Sequence, residues 1–172
     1  MKHFLFITLL FIAFHSMLAQ QTVQHPCSGN PVYRQFDFWI GQWEAFTTAN
    51  KKAGDSKVSL LLDSCIVLEE WTSTQAGYEG KSFNTYNVGT GKWQQYWVDN
   101  RAGVTEYFDG HFENNTMILQ TTNIKQADGR YKILKMSFFN LGTDKLRQFG
   151  QSSADNGKTW TTDFDLEYRR KK

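Results

Sequence analysis

The chain has 172 residues, 19 basic against 17 acidic side chains and a net charge of +2, with Lys and Arg scattered except at Arg169-Arg170-Lys171-Lys172. That distribution lacks the basic stripe of a nucleic-acid binder, so no partner of that class is expected. Aromatic residues make up 16% of the chain, enough to fill a real core in one domain, which commonly runs about 100–150 residues.

Residues 1–20 read as a secretory leader. Met1-Lys2-His3 is a small basic start, Phe4 to Phe14 is an almost unbroken apolar run, and Ala19 is a small residue at a plausible cleavage point. The run is shorter than the roughly 20 residues a spanning helix needs. The mature chain is therefore expected to be secreted or periplasmic, with no membrane span once the leader is removed. Residues 21–30 are polar, contain Pro26 and read as a linker, and residues 31–172 form the folded domain. Cys27 and Cys65 both lie in the exported part, where an oxidising compartment favours a disulfide between them.

From Pro31 onward the elements are short. Val32, Gln35, Phe36 and Trp39 share one side at helical spacing, which predicts one or two helical turns before Gly41 breaks the pattern. Strands are expected over 42–48, 58–62, 65–71, 81–88, 93–99, 104–112, 116–124, 131–140, 145–151 and 159–168. The residues between them are turn formers, including a turn over 50–55. Connections this short make sequential strands pair as an up-and-down meander, and a meander removes its edges by closing. The fold class is therefore all-β: one antiparallel up-and-down β-barrel of about ten strands with a short N-terminal helical plug.

Alternation assigns the faces of the last strand. Trp160, Thr162, Phe164, Leu166 and Tyr168 lie on one, and Thr161, Asp163, Asp165 and Glu167 on the other, which is solvent. In the middle strands Trp93, Gln95, Trp97 and Asp99 share a face, as do Ser82, Asn84, Tyr86 and Val88. Aromatics mixed with amides read either as an amphipathic outer face or as the wall of a ligand cavity. Glu69 and Glu70 point to opposite faces. Glu70 shares its face with Ile66 and Leu68, which reads as a partly buried carboxyl of raised pKa or, alternatively, as a salt bridge with Arg147. Glu70, Asn84, Tyr86, Gln95 and Trp97 are the expected cavity residues. His111 is the lone histidine among the strands and reads as a surface residue, so no metal site is expected.

Near the C-terminus, Ser153-Ala154-Asp155-Asn156-Gly157-Lys158-Thr159-Trp160 matches the Asp-box signature S-x-D-x-G-x-T-W of sialidase-type propellers and other β-proteins. There the box is a structural hairpin. The resemblance implies that Asp155 binds backbone N–H groups, that Gly157 takes a positive φ and that Trp160 folds back into the core. The chain has one copy, so only the turn carries over.

The stretch Phe36-Asp37-Phe38-Trp39-Ile40-Gly41-Gln42-Trp43 contains a G-x-W and resembles the opening of lipocalins and related calycin barrels. The resemblance implies that Trp43 closes one barrel end beneath the helical turn that carries Trp39. The same opening is similar to nitrobindin-type barrels, which implies haem held by a histidine. The C-terminal context for that ligand has no match here and His111 is not in an equivalent place, so no cofactor is expected. Together with residues 65–71, 93–99 and 153–160, the opening also resembles a family of exported bacterial proteins that carries no assigned activity. The first functional expectation is a binding protein for a small hydrophobic or amphipathic ligand. The alternatives are an isomerase, lyase or hydrolase using Glu70 as general acid or base, and an envelope or surface interaction module with a filled core.

Overall fold

Side chains alternate in and out along a strand, so an amphipathic strand gains most from burial when the sheet wraps around its own apolar face. The computed structural model describes residues 25–172 and shows that arrangement. The leader expected over residues 1–20 and residues 21–24 of the linker lie outside the described residues. Two 3₁₀ turns, Pro31–Arg34 and Asp37–Trp39, precede the strands. These are β1 (Gly41–Thr47), β2 (Lys52–Leu61), β3 (Ile66–Ser73), β4 (Glu79–Asn87), β5 (Lys92–Asp99) and β6 (Val104–Glu113). There follow β7 (Thr116–Gln120), β8 (Ile124–Lys125), β9 (Tyr131–Asn140), β10 (Lys145–Ser153) and β11 (Thr161–Arg170). Every pairing is antiparallel. Each strand pairs with the next except that β7 pairs directly with β9, and β11 closes the barrel onto β1 with Trp43 opposite Arg170 and Ala45 opposite Tyr168. The short β8 adds to β9 outside the ten-strand ring. Among the described residues no helix is long and apolar enough to cross a membrane.

The plug closes one end. Asn30 caps the first turn by accepting a hydrogen bond from the Val32 amide at 3.1 Å, and Pro31 sits in the first helical position, where its missing N–H costs nothing. The second turn drives Phe36 and Trp39 into the barrel, stacked with ring centres 5.0 Å apart and both wholly buried. Burying a side chain of this size contributes roughly 1.5–3 kcal/mol. The Phe138 ring packs 4.5 Å from Trp39, and the Trp43 indole N–H donates to the Trp39 carbonyl at 2.8 Å. Cys27 and Cys65 form a disulfide that ties the turn at Pro26–Gly29 to the start of β3.

Three expectations change. The turn expected over 50–55 is only the start of that segment, because β2 begins at Lys52. Its polar first half is strand, with a register shift against β1 that skips Ala53, and with Gly54 and Ser56 buried and Asp55 and Lys57 outside. The strand expected over 116–124 stops at Gln120, where Thr121 turns its hydroxyl to the Leu134 amide at 2.9 Å. Trp160 does not reach the core. Its indole N–H donates to the Gly157 carbonyl at 3.0 Å, and the Lys135 ammonium covers its ring at 4.0 Å. The eight-residue turn has already used its length to close on itself.

Candidate functional site

The barrel interior is divided along its axis. Around the plug, Phe36, Trp39, Trp43, Met117 and Phe138 fill it completely. Toward the far end the inward positions of β2 and β4 are small: Gly54 and Ser56 on one, Gly80 and Ser82 on the other. Between them β3 points Glu69 and Trp71 inward. The glycines are required by the indoles. A Cβ on Gly54 would strike Trp71 and come within 2.6 Å of the Thr72 carbonyl, and one on Gly80 would strike Trp97.

Small residues on two strands leave a cavity of about 280 Å³. Glu69, Gln95, Gln148 and Tyr168 form its polar floor, Trp71, Tyr107, Met136 and Leu166 line its sides, and Tyr78, Trp97, Thr105 and Phe164 complete the wall. Asp99 fixes the rim. Its carboxylate accepts hydrogen bonds from the Trp97 indole at 3.3 Å and from the amides of Arg101 and Gly103 at 2.9 and 3.0 Å. The two amides, Arg101 foremost, hold the Asp99 carboxyl below its ordinary pKa.

Glu69 is only 2% exposed. One carboxylate oxygen accepts from the Ser56 hydroxyl at 2.9 Å and the other from Ser82 at 3.1 Å. Behind Ser82 the donors line up: the Gln95 side chain donates to the Asn84 Oδ1 at 2.8 Å, and the Asn84 side-chain amide donates to the Ser82 hydroxyl oxygen at 3.1 Å. On the opposite side the Tyr168 hydroxyl donates to Gln148 at 2.6 Å, with the Glu69 carboxyl also in its reach. Burial outweighs these hydroxyl bonds and pushes the Glu69 carboxyl up to about 7. Burial also raises both Tyr107 and Tyr168, so the two phenols stay neutral.

The expected cavity residues divide. Gln95 and Trp97 line the cavity. Asn84 is wholly buried beneath it, bonded to Gln95 and to the Val67 carbonyl at 2.9 Å. Tyr86 lies at the plug end, its ring 5.7 Å from Tyr33 and 6.1 Å from Trp93. Glu70 is the correction. It lies outside the barrel, where its cross-strand neighbours Lys81 and Lys57 reach its carboxylate at 2.8 and 3.5 Å and hold its pKa down. Arg147, the other partner considered for it, is instead held by Asp165 through two bonds of 2.7 Å. Glu70 therefore has no access to the cavity, and its role as acid or base there falls with it. Ile66 and Leu68 misled the face assignment because the outer wall here is itself apolar, with Leu68 directly opposite Phe83.

Glu69, Tyr107 and Gln148 are absent from the expected set. For Glu69 the usable signal lay outside its own strand, in Gly54 and Gly80, which leave room for the Trp71 and Trp97 indoles on the inner face. For Tyr107 and Gln148 the strands carry no clean alternation. No protein-family model matches the chain, and the search of curated proteins found no significant match. The reading therefore rests on the geometry: apolar walls, neutral hydrogen-bonding groups and one buried carboxyl.

Proposed function

We propose that the chain is an exported binding protein that holds a small apolar or amphipathic molecule inside the barrel. The observation that carries this reading is the cavity of about 280 Å³. Its aromatic walls offer area for burial while Glu69, Gln95 and Gln148 offer a few directed polar contacts, the combination by which small-molecule sites bind and orient. Its size lies just below the roughly 300–1,000 Å³ usual for such sites, which favours a small ligand. Export is supported by the leader-like residues 1–20 and by the Cys27–Cys65 bond, a linkage that persists in oxidising compartments. The test is titration with the neutral lipophilic fluorophore N-phenyl-1-naphthylamine, followed by displacement with a broad panel of lipophiles. Saturable binding that alters tryptophan emission supports the reading. A panel in which nothing saturates overturns it.

One observation favours a second reading, an enzyme on the same barrel with Glu69 in place of Glu70. A carboxyl pushed up to about 7 serves as both proton donor and acceptor near neutral pH. Chemical conversion of a bound ligand, detected by mass spectrometry and abolished by Glu69→Gln, supports it. A ligand recovered unchanged overturns it.

A further inference from the structure

Among the described residues no lysine or arginine is buried, and Glu69 is the one acidic side chain that is. A carboxyl in that position lacks what usually accompanies a buried charge, a basic partner. The groups facing it from the surrounding strands are Ser56 of β2, Ser82 of β4, Gln95 of β5, Tyr107 of β6, Gln148 of β10 and Tyr168 of β11. Only the two phenols among these titrate, and both stay neutral. A carboxylate offers about four lone-pair sites; the two serine hydroxyls take one on each oxygen, and the Tyr168 hydroxyl, which donates to Gln148, lies in reach of a third. Acceptor capacity is left over where the cavity begins.

The walls have the matching character. Trp71, Trp97, Tyr107, Phe164 and Tyr168 surround the cavity. Aromatic faces carry negative charge density and attract a cation within about 6 Å. The space thus combines one buried acid without a counter-charge, electron-rich walls and no positive group. Building on the reading of the cavity as a ligand site, we infer that its occupant is a cationic amphiphile: a protonated amine on a small apolar body, with the ammonium on Glu69 and the apolar part among the indoles. A carboxylate ligand would meet a like charge with nothing to neutralise it. A neutral alcohol would bind through apolar burial but would leave Glu69 without its counter-charge.

The inference is tested with three probes of equal chain length, octylamine, 1-octanol and octanoate, titrated calorimetrically into the full mature chain. At pH 8 octylamine is expected to bind at least tenfold more tightly than octanol, and octanoate most weakly. Because only the ionised acid offers the ion pair, octylamine affinity should fall at least tenfold between pH 8 and pH 5 while octanol changes less than threefold. An alkylammonium, like that of lysine, stays charged across this range. Glu69→Gln should abolish the amine preference and leave octanol binding in place, and the wild-type pH series decides the matter if that variant fails to fold. Octanol or octanoate binding as tightly as octylamine overturns the amine assignment while leaving the ligand site standing. Binding of none of the three while N-phenyl-1-naphthylamine still saturates overturns the amine assignment alone, and a fluorophore that also fails to saturate overturns both.

Discussion

The guanidinium carbon of Arg170, in the last strand, lies 4.2 Å from the centre of the Trp43 ring in the first. The same group donates to the Ile40 carbonyl at 3.1 Å and to the Thr143 carbonyl at 2.7 Å, so one side chain clamps the seam where the barrel closes. Gly41 makes room for it. Its φ is +141°, and a Cβ there would run into the Arg170 guanidinium. Gly41→Ala should therefore cost about 1–3 kcal/mol through backbone strain and loss of the clamp. Urea denaturation measures it, and an unchanged midpoint would show that the seam does not depend on this contact.

The Glu69 carboxyl makes stability depend on pH. Its pKa rises from an ordinary 4.5 to about 7 in the folded chain. The folded state therefore holds its proton more firmly than the unfolded state, and stability falls as pH rises between those values. The loss is about 3 kcal/mol, complete above pH 7 and absent below about pH 4.5. Comparing wild type with Glu69→Gln in urea at pH 4.5, 6 and 8 isolates this carboxyl from all others. A constant difference between the two proteins across that range would refute the shift.

The plug and the strand order were legible in the sequence because their signals are local. Trp39, Gly41 and Trp43 act within five positions of one another, and each hairpin is marked by its own turn residues. The Asn114-Asn115 turn is an example, with both residues at positive φ, 47° and 58°, as a two-residue hairpin loop demands. The face of β3 was not legible. Val67 and Trp71 inside alternate with Ile66 and Leu68 outside, so both faces are apolar, and the parity is set by β2 and β4. Gly54 and Gly80 accept the bulk of Trp71 and Trp97, which fixes Glu69 inside and sends Glu70 to the lysines. Nothing within β3 itself carries that information.

The disulfide closes a span of 38 residues between Cys27 and Cys65, for which loop-closure entropy gives about 4 kcal/mol of stabilisation. Denaturation with and without a reductant, checked against a Cys27→Ser/Cys65→Ser double variant, should show a loss of that order in both. A loss in the reduced protein alone would point to effects of the reductant elsewhere.

Asp155 organises the turn between β10 and β11. Its oxygens accept the Thr159 amide at 2.9 Å, the Thr159 hydroxyl at 2.6 Å and the Ser153 hydroxyl at 2.7 Å, and the Thr159 bonds above all pull its pKa down to about 2. The contribution of a group with a lowered pKa is present at neutral pH and disappears as pH falls toward 2. Asp155→Ala should raise the hydrogen-exchange rate of the Thr159 amide at least tenfold while leaving the amides of β3 and β4 protected. Equal loss of protection throughout the barrel would mean that the box holds up the whole fold.

Gly80 and Trp97 should behave as one unit. Gly80 has an ordinary strand conformation, so alanine brings no backbone strain there. The cost of Gly80→Ala is steric, because the new Cβ meets the benzo edge of the Trp97 indole and lies 2.9 Å from the Val98 carbonyl. Overpacking of this kind costs about 1–3 kcal/mol. Trp97 lines the cavity, so an indole displaced into it should lower lipophile affinity along with stability. Trp97→Phe removes the benzo edge and with it most of the clash, so Gly80→Ala should cost much less in that background. A double-mutant cycle should return a coupling of at least about 1 kcal/mol between the two positions. Additive losses would mean that Gly80 serves the Val98 backbone rather than the cavity wall.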